Sequence, residues 1–384
     1  MFSETTSRSW FSRLGGGLKN IIFGFIVLIA AGVLLFWNEG RAVKTYKALK
    51  EGAGAVVSIG ADKVDPANEG RLVHLSGPLT YPDKLSDPLL SLSLPALRLI
   101  RKVEMLQWAQ KSTSTTKNKY GGGTETTTTY SYSKIWSPSL IDSSAFKQPA
   151  GHENPAAMPF KAARWVAASA RLGAFTLPER IASSLGKEEP IPLSKQNRPD
   201  KSIAGKGRPG GDGALYFGSK SHDRIGDTRI TILAARPAQA SIVAMQKGSG
   251  LAPYTASNGR RIMLARASLA SAAEIFKTAQ ANNKVITWLI RAGGVLAMFI
   301  AFSMILSVIR VAADAVPFFG SIVGAGLGFL SIMLALAVSA VIIAIAWFFF
   351  RPLLSLALLA LAGGAIWLAR TRLKKAPAPQ PAEG

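Results

Sequence analysis

The chain has 384 residues, 48% of them hydrophobic, and a formal net charge of +23. It contains no cysteine, which excludes disulfides, thiol catalysis and cysteine metal sites. The positive residues are spread along the chain and carry no nucleic-acid motif, so they point to the anionic headgroups of a bilayer and not to nucleic acid.

The apolar residues are gathered near the two ends, which is the pattern of a membrane protein. Residues 1–20 form a short basic tail with Arg8, Arg13 and Lys19. Residues 21–37 carry no charge and would make about 25 Å of helix, close to a hydrocarbon core of roughly 30 Å. The apolar run continues past Ala30 and Ala31 to Phe36 and Trp37 and leaves no polar cleavage region, so it reads as an uncleaved anchor. Phe36 and Trp37 stand where interfacial aromatic residues belong. Asn38 and Glu39 then close the span. Two readings of that pair stay open: a stop at headgroup level, or a carboxylate paired with a cation from another span.

Residues 38–284 read as one α+β domain tethered at both ends. A helix is expected over 44–51, ended by Gly52 and Gly54. Residues 55–76 alternate apolar stretches with turn residues, as strands do. Stronger strands are expected over 101–110 and 126–136, joined as a long hairpin with a flexible tip at Gly121-Gly122-Gly123. Asn154 and Pro155 look like the N-cap and first residue of a helix running to about Leu172. A second short helix follows Pro178, and 190–213 is a loop or linker. Strands are expected over 214–217, 227–235, 240–247 and 261–265. Ser271 and Glu274 then form a capping box for a helix that enters the membrane.

Three further spans follow, at 285–309, 318–350 and 352–369, with a connection at 310–317 and a basic, Pro/Ala-rich tail at 370–384. The third is about 50 Å long as one helix, more than the bilayer needs, so its start should be interfacial, tilted or kinked. Gly320, Gly324 and Gly328 recur every four residues along it, as a seam for another helix or as a loosened interfacial turn. Four spans place both tails on one side. The basic tails and Arg310 assign that side to the cytoplasm, and the large domain to the other.

Little in the sequence suggests catalysis. His74, His152 and His222 lack metal-ligand spacing, and no cofactor or metal is expected. Gly151-His152-Glu153-Asn154-Pro155 is the best local candidate for acid–base work or anion binding, but a plain helix entry, with Asn154 as cap and Pro155 as first residue, is the favoured reading. No charged residue lies in the middle of any expected span, which argues against a transporter. Glu39, Arg291 and Arg351 share one interfacial level on three segments, so Glu39 is expected to pair with Arg291 or Arg351. Arg310 and Asp314, four apart, would pair locally.

Several segments resemble a known family in the same order along the chain. They are FWNEGRAVKT at 36–45, VEMLQWAQ at 103–110, TYSYSKIW at 129–136, GHENPAAM at 151–158, GDTRITI at 226–232, SAAEIF at 271–276, TWLIRAGGVLAMF at 287–299 and FFFRPL at 348–353. Together they resemble the transmembrane protein 43 (LUMA) family over nearly the whole chain. The resemblance implies a four-span membrane protein with one large extracytoplasmic domain and no established catalytic chemistry. It also implies a role, in animals, in organising the inner nuclear membrane and endoplasmic reticulum. The expectation is therefore a non-enzymatic membrane scaffold with other membrane proteins, or a second copy, as partners. The alternative is a lipid-handling or intramembrane enzyme using Asn38, Glu39, Arg41 and Arg351 at the extracytoplasmic interface. A bacterial source would make the domain periplasmic, a eukaryotic one lumenal.

Overall fold

The computed structural model describes residues 2–193, 207–314 and 317–353, and beyond them 355–357, 360–361, 363–364 and 367. Its main elements, in chain order, are strand β1 (Phe2–Arg8), helix α1 (Trp10–Ala55), strands β2 (Leu72–Thr80), β3 (Arg98–Asn118), β4 (Thr124–Ser137), β5 (Leu215–Phe217), β6 (Thr228–Ala235) and β7 (Gln239–Lys247), and helices α2 (Ala272–Ala313) and α3 (Pro317–Phe350). They fall into a β-rich unit (Met1–Ser7, Ala48–Lys117, Glu125–Gln280) and a helical unit (Arg8–Lys47, Asn118–Thr124, Ala281–Gly384).

Two large sheets, with two further two-stranded ones, build the β-rich unit among the described residues. In the first, β6 pairs antiparallel with β3 from Thr228 opposite Met105 to Ala235 opposite Arg98. The strict alternation of Thr228, Ile230 and Ile232 inward with Arg229 and Thr231 outward sets that register. On the outward face Arg229 meets Glu104 directly across the ladder, at 2.7 Å. Leu99, Val103, Ile230 and Ile232 bury the inner face against Phe217.

In the second sheet β7 lies antiparallel to β2, with Gln239 opposite Pro78 and Met245 opposite Leu72. β7 is buried on both faces over Ala240–Ala244, which explains its continuous apolar run. Leu75, Leu172, Phe175 and Ile242 pack one core there. Leu49 near the end of α1 and Phe276 near the start of α2 pack with Leu72 and Val243 in another. Each fully buried large apolar side chain contributes about 1.5–3 kcal/mol.

Helix starts and stops depart from expectation in instructive ways. α1 does not end at Gly52. A Cβ there would sit 2.8 Å from Ile262 and 3.0 Å from Phe276, so this glycine admits a close neighbour and the helix runs on to Ala55. α2 begins as expected: Ser271 Oγ accepts from the Glu274 amide at 3.3 Å, and Glu274 accepts from the Ser271 amide at 2.8 Å.

Three expectations are corrected. The helix expected from Asn154 to Leu172 is absent, and Ala163–Val166 is instead a strand pairing with β3, Trp165 opposite Leu99. The start of the basic tail is also a strand, β1, on the edge of β4. The glycine tip of the β3–β4 hairpin is held in place, as described below. Within the expected 190–213 loop, Glu189–Ile191 and Arg208–Pro209 are short strands, and 194–206 lie outside the described residues.

Among the described residues, three long apolar helices run through the helical unit, each long enough to cross a membrane. α3 is one unbroken helix of 34 residues. Their contacts rest on glycine. A Cβ on Gly294 would lie 2.4 Å from Leu35, one on Gly24 2.7 Å from Ile305, and one on Gly40 2.6 Å from the Phe350 ring. In lipid, where apolar burial does not separate helix from hydrocarbon, such close approaches hold helices together. Leu35, Ala31, Met298 and Ala335 are buried at the centre. Of the expected fourth span, 352–369, the described positions are helical and the others fall outside the described residues.

Candidate functional site

The residues that close the first apolar run come together at one end of the helical unit. Arg291 of α2 donates Nε to Glu39 Oε1 at 2.7 Å and Nη2 to Oε2 at 2.8 Å, a bidentate pair. Trp347 of α3 donates its indole N–H to the same Oε2 at 2.9 Å. Glu39 is fully buried. Three helices thus meet on one carboxylate.

A second set of bonds extends from it. Asn283, Thr287 and Arg291 stand four apart and make one stripe along α2. Facing them, Asn38 donates to the Thr287 carbonyl at 3.1 Å, and Asn283 donates to the Ala42 carbonyl at 3.0 Å. Arg41 donates to Asn38 Oδ1, to Asn283 Oδ1 at 3.1 Å and to Thr287 Oγ1 at 2.9 Å. Buried polar groups in such a place need full satisfaction, and these supply it to one another. The arginine on Glu39 is Arg291. Arg351 lies over the Trp347 ring, 5.9 Å from its centroid.

An apolar groove of about 850 Å³ opens beside this lock, between α2 and α3. Among the described residues its only charged lining residue is Arg291, whose guanidinium sits over the Trp288 ring at 4.8 Å and the Trp347 ring at 5.8 Å. Phe299 and Ile332 line its other end.

A different polar cluster closes the opposite end of α1. Asp314, buried, accepts from Arg13 and from Asn118 Nδ2 at 3.3 Å, so Arg13 replaces the expected Arg310 as its partner. Arg13 also donates to the Gly122 carbonyl at 2.5 Å, and the Trp10 indole donates to the Val311 carbonyl at 2.9 Å. Gly122 has φ +78°, and a Cβ there would lie 2.2 Å from Trp10, so the tip needs glycine for both conformation and space. Nothing in the hairpin sequence pointed to this contact. The glycine run showed freedom at the tip but not what it fits.

Of the glycine seam, Gly324 packs on Arg310, whose Nε would lie 3.0 Å from an added Cβ. Gly328 has open space around it, and Gly320 is placed only as part of α3.

The loop candidates are elsewhere, in the β-rich unit. Asn154 caps no helix. Its side-chain amide pairs with the Trp108 peptide, accepting from the amide at 2.7 Å and donating to the carbonyl at 2.9 Å, as a neighbouring strand would. His152 stacks on Tyr132 at 3.9 Å and meets Trp108 edge-on at 4.9 Å. Glu153 accepts from the Gly151 amide at 2.9 Å, and that bond holds its carboxyl below the ordinary range. The loop is a clamp on β3 and β4. Among the described residues no cluster of metal-binding side chains is found.

Comparison with known proteins matches this arrangement to one family. The family model for Transmembrane protein 43 matches residues 105–352, taking in β3, α2 and α3. The rat Transmembrane protein 43 is 32% identical over 94% of this chain and 91% of its own length. The human protein is 31% identical over 96% and 94%, and the Drosophila melanogaster homolog 28% over 91% and 94%. No solved structure matches. With the rat and human relatives above 30% identity over more than nine-tenths of both chains, and with Glu39 and Arg291 drawn from two segments that carried the resemblance, the chain belongs to the transmembrane protein 43 family.

Proposed function

We propose that this integral membrane protein is a non-enzymatic, multi-pass scaffold that organises membrane protein complexes. One observation carries the reading: the carboxylate at the centre of the candidate site is spent on its neighbours. Glu39 accepts three hydrogen bonds of the roughly four a carboxylate takes, from Arg291 and Trp347. Such a carboxylate is a fastener, its oxygens already committed to Arg291 and Trp347. The lipid-enzyme alternative has less support, because Asn38, Glu39 and Arg41 are committed to this network and Arg351 stands apart over Trp347.

On this proposal the β-rich unit presents partner surfaces, and Gly328, open on α3, is the place for a helix of a second copy or another membrane protein. The compartment is the inner nuclear membrane or endoplasmic reticulum where there is one, and otherwise an inner membrane with a periplasmic domain. The test is purification in native lipid discs with mass spectrometry of whatever co-elutes. A stoichiometric protein partner or a defined homo-oligomer, lost in Gly328→Leu, supports the scaffold. A monomer with no protein partner overturns it.

A further inference from the structure

The groove between α2 and α3 lies against the lock but takes no part in it. We propose that it binds one acyl chain of a glycerophospholipid, whose glycerol ester or phosphate oxygens meet Arg291. A volume of about 850 Å³ is that of a small-molecule pocket, typically roughly 300–1,000 Å³.

Length and polarity agree. From Trp347 to Ile332 α3 rises about 22 Å, and from Arg291 to Phe299 α2 rises about 12 Å, which brackets one leaflet of a core roughly 30 Å thick. The Arg291 end carries the two indoles, Trp288 exposed and Trp347 half-buried, at the level where such rings mark the bilayer interface. Arg291 uses Nε and Nη2 on Glu39, and its Nη1 makes no hydrogen bond among the described residues. Those N–H groups are the donors for an ester or phosphate oxygen. Because Glu39 already neutralises Arg291, the site selects an acyl chain and an oxygen acceptor and not a net negative headgroup.

The experiment uses the full chain in mild detergent, with phosphatidylcholine of defined acyl length as the probe. Native mass spectrometry should show one phosphatidylcholine kept per chain through a delipidation series, with phosphatidylserine retained within about threefold of it. Ala340→Phe with Ala344→Phe fills the groove from exposed positions on α3 and should lower retention at least tenfold. Ala337→Phe, also exposed on α3 but outside the groove, should not. A photoreactive acyl chain on the same lipid should label residues 332–347.

Equal loss in the control and in the double variant, or wild-type retention no better than detergent exchange, overturns the site. Since the chain has no cysteine, Ala344→Cys gives one reporter thiol. A disulfide-linked dimer formed through it under mild oxidation would assign the groove to a second copy, and a photocross-link from a maleimide-benzophenone on it to 352–369 would assign it to the chain's own C-terminal segment. Either result also overturns the lipid proposal.

Discussion

The helical unit is fastened at two ends by buried charges, and the two fastenings differ in kind. At one end Glu39, Arg291 and Trp347 come from three helices, and the carboxylate takes a bidentate guanidinium and an indole. At the other, Asp314 takes Arg13 and Asn118, and the remaining contacts run to backbone carbonyls at Gly122 and Val311. The first depends on side chains set by helical repeat. The second depends on a loop whose glycine has a left-handed backbone. The first should therefore be sensitive to charge and the second to shape.

The largest effect should come from breaking the first. Glu39→Gln or Arg291→Ala leaves a buried charge alone and should cost about 3–5 kcal/mol in reversible detergent unfolding. Arg351→Gln should cost no more than about 1 kcal/mol, the value of an interfacial cation over a ring. In a double-mutant cycle Glu39→Gln and Arg291→Gln should be strongly non-additive, and simple additivity would show that the pair is not the fastener.

Next comes the glycine of the second. Gly122→Ala meets both a left-handed φ and the Trp10 ring, and should cost about 2–3 kcal/mol. Gly121→Ala, with φ +82° and open space, should cost about 1 kcal/mol. Equal costs in the same unfolding assay would remove Trp10 from the account.

A carboxylate held chiefly by neutral N–H and O–H donors calibrates both. Asp227 in the β-rich unit accepts from the Ser219 amide at 2.7 Å and the Arg224 amide at 3.0 Å. Burial pushes its carboxyl up, but these donors and the Ser219 hydroxyl outweigh it and leave it below the ordinary range. Its folded value is the lower one, so the stability it adds is full above the ordinary carboxylate range and is lost as pH falls through the depressed value. Asp227→Asn should cost about 1–3 kcal/mol at neutral pH and flatten the acid limb of a thermal-melt pH series. An unchanged acid limb would assign that limb to other carboxylates.

The smallest effect on stability carries topological information. Tyr120, at the hairpin tip, is 94% exposed, so Tyr120→Cys should shift stability by no more than about 0.5 kcal/mol. Its thiol should react from the same side of the membrane as one placed at Lys19, since the tip and the start of α1 share the Asp314 cluster. Positive-inside counting puts residues 118–124 with the rest of 38–284, on the other side. Labelling from opposite sides would break the second fastening.

How far the sequence could be read follows from the same contrast. The three long helices, the capping box at Ser271 and strand β6 were legible, because each rests on a local period or a local bond. Glu39 was legible as a charge in need of a partner, but Arg291 and Arg351 stand at one level and only packing separates them. The helix expected from Asn154 was a misreading of a local signal. The Asn-Pro pair resembles a cap, yet Pro159 lies inside the window and removes an amide that a helix there would use. The side chains at Trp165 and Val166 serve a strand against β3 equally well, and Asn154 instead fills a place beside Trp108. The glycine seam on α3 was visible as spacing. The glycines that do admit neighbours, Gly24, Gly40 and Gly294, were not, since which ridge enters which gap is a property of two helices.

The Glu39–Arg291 pair also bears on how the protein is made. Its two members are 252 residues apart, so a ribosome working at about 5–20 residues per second delivers Arg291 some 13–50 s after Glu39. During that interval the first helix waits with an acidic group at the membrane border. The second helix then brings in an arginine that alone costs about 2.5–3.5 kcal/mol at the centre of a span, less toward its edge. Correct insertion of one segment thus lowers the barrier for the other. A chain that stalls or misthreads between them leaves a lone acid or a lone base in view of membrane chaperones and proteases, which gives the cell a charge-based signal of unfinished assembly.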